Sequence, residues 1–365
     1  MYCLILCKET FGSGNLMTAL YIREIFELYL EAEFIKIVNI NCESSLKDIE
    51  NFNRSTANPK LVIALHLRQC SHLVSLLDKS IPVLAICTGT DINIDRTHGI
   101  YLKLMTYLVD RSFAVVLFNQ TMLKQFKETW PDYPGQLQVI HQAIRVDVED
   151  ANHFKKDILT AIECKLGVKL QPFFIIAGLL RDVKDPMFAL QAFLEWRNQD
   201  KENKNSKVTS SINYKSYNLL YVGSVEEDTE NIQQFIDEID GKVVHRCDSL
   251  TQKELHSLML SSQALINCSV SEGQSLAVME AMSLGVPVVV RENPGNCDLI
   301  KHRKNGLVFR TSKELGECLT YLEENPEIKK QLILAGEEFM GGKEFQRGYQ
   351  AKLYSHVIQH IYSTL

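Results

Sequence analysis

The chain has no apolar run approaching the ~18 residues that a membrane-spanning helix needs. Its first residues, Met1 to Cys7, are apolar but lack the basic start and small-residue cleavage site of a secretory leader, so they read as a buried first strand. Positive charge is in short supply. Lys and Arg number 39 against 45 Asp and Glu, a net charge of −6, which argues against a nucleic-acid partner, since such partners demand a basic face. The ten cysteines contain no CxxC pair. Cys3, Cys7, Cys87, Cys247 and Cys268 fall in or beside apolar runs, the pattern of free buried thiols in a reducing compartment, and a cytoplasmic location is expected. HExxH and Asp-x-Asp patterns are absent, and His356 and His360, four residues apart, have no third ligand nearby. No metal site and no cofactor are expected. Asn267-Cys268-Ser269 matches a glycosylation sequon but ends an apolar run, where a glycan has no room.

What is present is alternation. Short apolar runs stand at Cys3–Cys7, Phe34–Ile40, Leu61–Leu65, Val83–Cys87, Ala114–Asn119 and Leu137–His141, and again at Phe173–Ala177, Leu219–Val222, Lys242–Cys247, Ala264–Cys268, Pro287–Arg291 and Leu307–Phe309. Amphipathic stretches lie between them; in the first, Leu16, Ala19, Leu20, Phe26, Tyr29 and Leu30 are expected to share one face. Near-continuous apolar strands alternating with helices mean parallel sheets covered on both faces. With 365 residues and 45% hydrophobic content, the expectation is an α/β protein of two Rossmann-like lobes, residues 1–150 and 151–345, with a substrate cleft beyond the strand ends and a final helix in 346–365. The polar stretch Val146–Lys156 is expected as the linker, and 200–217, rich in Asn, Lys and Ser, as a surface loop.

The richest segment runs from Ser269 to Pro287. Glu272 lies beside Gly273 in a turn after an apolar strand, and Glu280 lies eight positions later in a helix closed by Gly285-Val286-Pro287. A turn leading into a helix presents backbone N–H groups and a positive helix end, a good place for a phosphorylated sugar. Ser-Glu-Gly before the helix, Glu-Ala-Met within it, Gly-x-Pro-Val-Val after it, then Asn293-Pro294-Gly295-Asn296 and Lys304-Asn305-Gly306-Leu307-Val308-Phe309, resemble retaining, nucleotide-sugar-dependent glycosyltransferases of the B fold, family 4. The resemblance covers nearly the whole chain.

It implies an acceptor lobe in 1–150, a donor lobe in 151–345 and a last helix crossing back to the first lobe. It places Glu272 on donor-sugar hydroxyls, the backbone of Gly273, Gln274, Ser275 and Leu276 on the sugar and diphosphate, and Glu280 on the ribose hydroxyls. Gly178-Leu179-Leu180-Arg181-Asp182-Val183-Lys184 resembles the family's Gly-Arg-Leu segment, whose Arg and Lys neutralise the diphosphate. Lys184 matches in position, whereas Leu179 stands where the arginine belongs and Arg181 is two residues late. His66, ending an apolar run, matches a family histidine near the reacting carbon and acceptor. Thr88-Gly89-Thr90-Asp91 carries threonine where the family has histidine. Gly12 and Gly14 form a Gly-x-Gly loop near the donor phosphates; with Met17 in place of a third glycine and Asn39 and Asn41 after the second strand, it is no NAD fingerprint.

The expected activity is transfer of a sugar from a nucleoside-diphosphate sugar to an acceptor, a glycan, protein or small molecule, with retention of configuration. A nucleotide-sugar-binding pseudoenzyme acting through partners and a sugar-nucleotide epimerase of the same fold are the alternatives.

Overall fold

The computed structural model describes residues 1–199, 212–239 and 241–364. The expected surface loop falls largely outside them, at residues 200–211. Each of the twelve apolar runs forms a strand: β1 (Tyr2–Cys7), β2 (Phe34–Asn39), β3 (Lys60–Leu65), β4 (Val83–Ile86), β5 (Ala114–Leu117), β6 (Gln136–Val139), β7 (Phe173–Ala177), β8 (Asn218–Val222), β9 (Val244–Cys247), β10 (Leu265–Asn267), β11 (Val288–Arg291) and β12 (Leu307–Phe309). They form two six-stranded sheets, ordered β2-β1-β3-β4-β5-β6 and β12-β11-β10-β7-β8-β9, with every pair parallel.

The strand orders decide where a ligand can sit. In the first sheet the chain steps outward from β1 to β2, then returns to β3 on the other side of β1. In the second it steps from β7 through β8 to β9, then returns to β10 beside β7. At such a switch the connections part to opposite sides and leave a crevice past the carboxyl ends of the two strands. The crevice positions are therefore the ends of β1 and β3 in one sheet and of β7 and β10 in the other.

The contacts divide the chain into two compact units. One comprises Met1–Ile144, Ser271–Gln274 and Gly342–Leu365; the other comprises Arg145–Val270 and Ser275–Gly341. The first core packs Leu4, Ile5, Leu6, Val62, Ile63, Leu84 and Val115 against Phe26 and against Tyr354, Val357 and Ile361 of the last helix, Arg347–Thr364. That helix is also tied by Arg347 to Glu24 at 2.6 Å. The second core centres on Phe174, Phe193 and the fully buried Trp196, whose indole N–H donates to Thr320 Oγ1 at 2.9 Å.

Two local expectations need correction. On the helix Gly14–Tyr29 the buried face is Thr18, Ala19, Tyr21, Ile22, Ile25 and Phe26. Ala19 and Phe26 lie on it as expected and Leu30 packs against the same core, whereas Tyr29 is exposed. The expected linker is mostly helix. Asp147 accepts from the N–H of Asp150 and caps a helix over Val148–Leu166, whose charged first turns face outward.

Candidate functional site

At the first switch point, β1 leads into a loop in which Gly12 adopts φ +81°. The Ser13 N–H donates to Thr10 O at 2.9 Å, and Ser13 Oγ accepts from Leu16 N–H at 3.2 Å, so this residue caps the helix that begins at Gly14. Gly12 and Gly14 are both exposed. At the end of β3, His66 is held at φ +80°, a conformation that costs a non-glycine residue on the order of 1–3 kcal/mol. Asp91 fixes the neighbouring backbone. Its carboxylate, 0% exposed, accepts N–H bonds from Leu67 at 3.0 Å, Thr88 at 3.0 Å, Gly89 at 2.9 Å and Ile92 at 2.9 Å, which satisfies a buried charge with backbone donors. The His66 ring is buried between two carboxylates, Nδ1 3.9 Å from Asp91 and Nε2 3.8 Å from Asp95. Asp95 in turn is paired with Arg68 at 2.7 Å.

The turn Ser271–Gln274 belongs to this same unit and is gripped by it. Asn93 Nδ2 donates to Glu272 O at 2.8 Å, and Asn119 Nδ2 donates to Gly273 O at 2.8 Å. The Gln142 N–H donates to Gln274 Oε1 at 2.7 Å, while Gln274 Nε2 meets His141 Nδ1 at 2.7 Å. Gly273 lies directly against Gly89. A Cβ on Gly273 would stand 2.7 Å from Gly89 Cα and 2.7 Å from Thr88 O, so backbone touches backbone there. The turn around Glu272 is thus held by the amide side chains of Asn93 and Asn119, by Gln142, whose Nε2 donates to Gln274 O at 2.5 Å, and by a glycine pair, with the Glu272 residue itself half-buried.

In the second unit the switch-point loop after β7 opens on Gly178, at φ +143°; a Cβ there would stand 3.4 Å from Cε of Lys184, whose side chain runs across this glycine. The loop is pinned to the segment after β10 by the Val270 N–H, which donates to Val183 O at 2.9 Å. Arg181 is paired: its Nε lies 3.3 Å from the largely buried carboxylate of Glu226. Past β10, Ser275 precedes the helix Leu276–Ser283 without capping it. Asp147, Asp185, Thr229, Thr251, Asn293 and Thr311 do cap their own helices in this unit. Ser275 Oγ instead accepts from Asn267 Nδ2 at 3.2 Å. The first N–H groups of the helix are left for another acceptor, and they carry the positive end of its dipole.

Glu280 is 5% exposed on that helix. A buried charge needs partners. They come from the helix Gln252–Ser261: Gln252 Nε2 donates to Glu280 Oε1 at 3.0 Å, and His256 Nε2 lies 3.6 Å from Oε2. Elsewhere in this unit, Arg291 at the end of β11 pairs with Asp185 at 2.6 Å and stacks 4.4 Å from the Phe188 ring.

The donor set of the second unit suits an anion with hydroxyl groups: a helix start without a side-chain cap, cations on the adjoining loop and a buried carboxylate. Among the described residues no group of three or more His, Cys, Asp or Glu side chains is arranged to hold a metal ion. All ten cysteines are free thiols. Burial pushes the Cys247 thiol up to about 11 and Cys7 up to about 12, so neither offers a thiolate nucleophile near neutral pH.

Residues 160–339 match the family described as Glycosyl transferases group 1. The chain is 28% identical over 324 residues to glycosyltransferase 1 domain-containing protein 1 of Xenopus tropicalis, covering 88% of this chain and 87% of that protein. The chain carries a glycosyl transferases group 1 domain. Solved structures share the two-lobed fold across its whole length. Anabaena HepE in complex with UDP and glucose matches at a TM-score of 0.72, with 14% identity over 98% of this chain and 99% of that one. Sucrose-phosphate synthase of Thermosynechococcus elongatus matches at 0.74, with 11% identity over all of both chains.

The group 1 domain contains Arg181, Lys184, Glu272 to Leu276 and Glu280. Sequence reasoning did not single out the residues that support them. Asn119 carried a readable signal, a helix-capping residue directly after an apolar strand, and it does cap its helix through Met122 N–H at 2.8 Å. Gln252 and His256 carried a weaker one, polar residues four apart on one helix face. Glu226, Arg291 and Asn93 carried none, since their partners are distant in sequence.

Proposed function

We propose that this protein transfers a sugar from a nucleoside-diphosphate sugar to an acceptor, with retention of configuration and without a metal ion. The observation that carries the reading is the start of the helix Leu276–Ser283, which no side chain caps, beside a loop bearing Lys184. Backbone N–H groups and a helix dipole there suit a diphosphate. The group 1 family model and the UDP and glucose held by Anabaena HepE support a nucleotide-sugar donor. In this reading Lys184, with Arg181 beside it, balances the charge that develops on the leaving diphosphate. Glu280 accepts from the ribose hydroxyls, Glu272 from those of the sugar, and His66 serves the acceptor side. The bond from the anomeric carbon to the diphosphate oxygen breaks as the acceptor oxygen bonds on the same face. The acceptor's proton passes to the departing phosphate oxygen, so no carboxylate becomes a covalent nucleophile, unlike retaining glycosidases. Ten free cysteines support a reducing, cytoplasmic setting.

Thermal melts with UDP, GDP, ADP and their glucose conjugates test this. A true ligand at 100 times its Kd adds about 2.7 kcal/mol of stability. Stabilisation by one nucleoside diphosphate, unchanged in EDTA, is expected; a shift abolished by EDTA would sink the metal-free part. Release of the nucleotide when donor and acceptor candidates are mixed separates a working transferase from a binding protein.

The two glutamates should separate in the same assays. Glu280→Ala is expected to weaken nucleotide binding by about 1.5–3 kcal/mol, the scale for a hydrogen bond to a charged group. Glu272→Ala should chiefly lower kcat. Equal losses of nucleotide affinity in both variants would contradict these roles.

A further inference from the structure

We infer that Asn267 is a positioning residue: it holds the Ser275 hydroxyl off the start of the helix Leu276–Ser283 and so keeps those backbone N–H groups for the phosphates. The inference rests on the nucleotide-binding reading above and names the side chains that hold that site open. Ser275 stands at the N-cap with an extended backbone. Serine is among the preferred residues there, because its oxygen accepts from the N–H two or three positions on, here that of Ala277 or Val278. Ser275 makes no such bond. Its Oγ accepts instead from Nδ2 of Asn267, the last residue of β10, at 3.2 Å. A hydroxyl passes between two such partners by rotation about χ1, so the group that holds it on Asn267 determines whether the helix start is open.

Asn267 is itself oriented. Its Oδ1 accepts from the Ser269 N–H at 3.1 Å and from Asn296 Nδ2 at 3.1 Å. With the oxygen engaged by two donors, the amino group is turned to Ser275. Asn296 lies on the helix Pro294–Leu299 and is 0% exposed. Its Nδ2 also donates to Arg291 O at 2.9 Å, so its amino end bridges two oxygens. Turned over, the amide would set its own oxygen against both. This orientation is kept although Asn296 Oδ1 is buried with no hydrogen-bond partner among the described residues. A buried acceptor left unsatisfied is destabilising, and here it accompanies the one orientation that fixes the donor facing Ser275. The whole chain of bonds lies within the second unit.

Released from Asn267, the hydroxyl would cap its own helix and compete with the phosphates for the same N–H groups. A ligand that binds only the uncapped form loses affinity in proportion to the fraction left uncapped. A serine cap of ordinary strength corresponds to about a fivefold preference.

The test uses the full chain, with calorimetry on UDP, GDP and ADP in turn and with hydrogen exchange of the ligand-free amides followed by NMR. N267A is expected to weaken the nucleoside diphosphate that binds the wild type by about fivefold. Adding S275A to N267A should restore most of that loss, because it removes the competitor. In the ligand-free protein the Ala277 and Val278 amides should exchange several times more slowly in N267A than in the wild type, and return to the faster rate in the double variant. A merely structural role for Asn267 gives the opposite sign, since loosening the turn speeds exchange. A double variant that binds no better than N267A, or exchange that does not slow in N267A, overturns the proposal. Should N267A not fold, N296A makes the same test one step back, with the Asn267 amide able to turn over, and the same recovery on adding S275A is expected. If none of the three nucleotides binds the wild type while the Ala277 and Val278 amides still slow in N267A, the nucleotide reading has failed and the restraint on Ser275 has not.

Discussion

Lys184→Ala should lower kcat/KM for the cognate nucleotide sugar by about 10²–10³, the scale for removing one preplaced group that balances developing charge. The side chain crosses Gly178 at the end of β7, on a loop hydrogen-bonded to the segment that follows β10. Arg181 stands three residues away, and its Nε is 3.3 Å from Glu226. Arg181→Ala should therefore cost less than Lys184→Ala, because the cation it removes is already engaged by the negative charge of Glu226. Adding Glu226→Gln to Arg181→Ala should restore most of the lost rate. Steady-state kinetics on the three variants and the wild type decide it. Equal losses for the two cations, with no recovery from Glu226→Gln, would mean that Arg181 holds the phosphates itself.

The second large effect should come from a methyl group. In Gly273→Ala the new Cβ would lie 2.7 Å from both Gly89 Cα and Thr88 O. Backbone cannot swing aside as a side chain can, so the turn must move. Overpacking of this kind costs about 1–3 kcal/mol, and a displacement near 1 Å at a reacting centre can cost on the order of 10²-fold in rate. Gly273→Ala is expected to lower the melting temperature by several degrees and kcat by about 10²-fold. Gly99→Ala is the matched control, because a Cβ at Gly99 has nothing within 4 Å. Wild-type turnover in Gly273→Ala would show that the glycine contact does not set the geometry of Glu272.

The fold was legible because its signal is local. A strand buried on both faces must be apolar along its length, and twelve such runs, from Cys3–Cys7 to Leu307–Phe309, are visible without any knowledge of pairing. The glycosyltransferase segment was legible because glutamates, glycines and prolines at set spacings are rare together. The supporting residues were not. Asn93, Asn119 and Gln142 hold a turn some 130 to 180 positions away, and amide side chains with such partners look like any surface polar residue. Glu280 could be recognised as a charge in need of a partner, but not that Gln252 and His256 supply one. Arg181 shows the limit most plainly: its position in the chain pointed to a phosphate, and only the fold sets Glu226 beside it. Likewise, charge pattern made Val146–Lys156 look like a linker, whereas Asp147 starts a helix there.

The last helix has a consequence for how the protein is made. Tyr354, Val357 and Ile361 lie in the core of the first unit, although the rest of that core is nearly all encoded before residue 144. On a ribosome adding roughly 5–20 residues per second, the helix that covers the remaining apolar surface emerges on the order of 10–40 s after the sheet it packs on. During that interval the nascent first unit presents Phe26 and its neighbours uncovered. A premature stop a few residues before Arg347 would leave every residue of the nucleotide-sugar motif translated, yet it would yield a chain with a permanently open core, a substrate for chaperones and proteases rather than a slightly shorter enzyme.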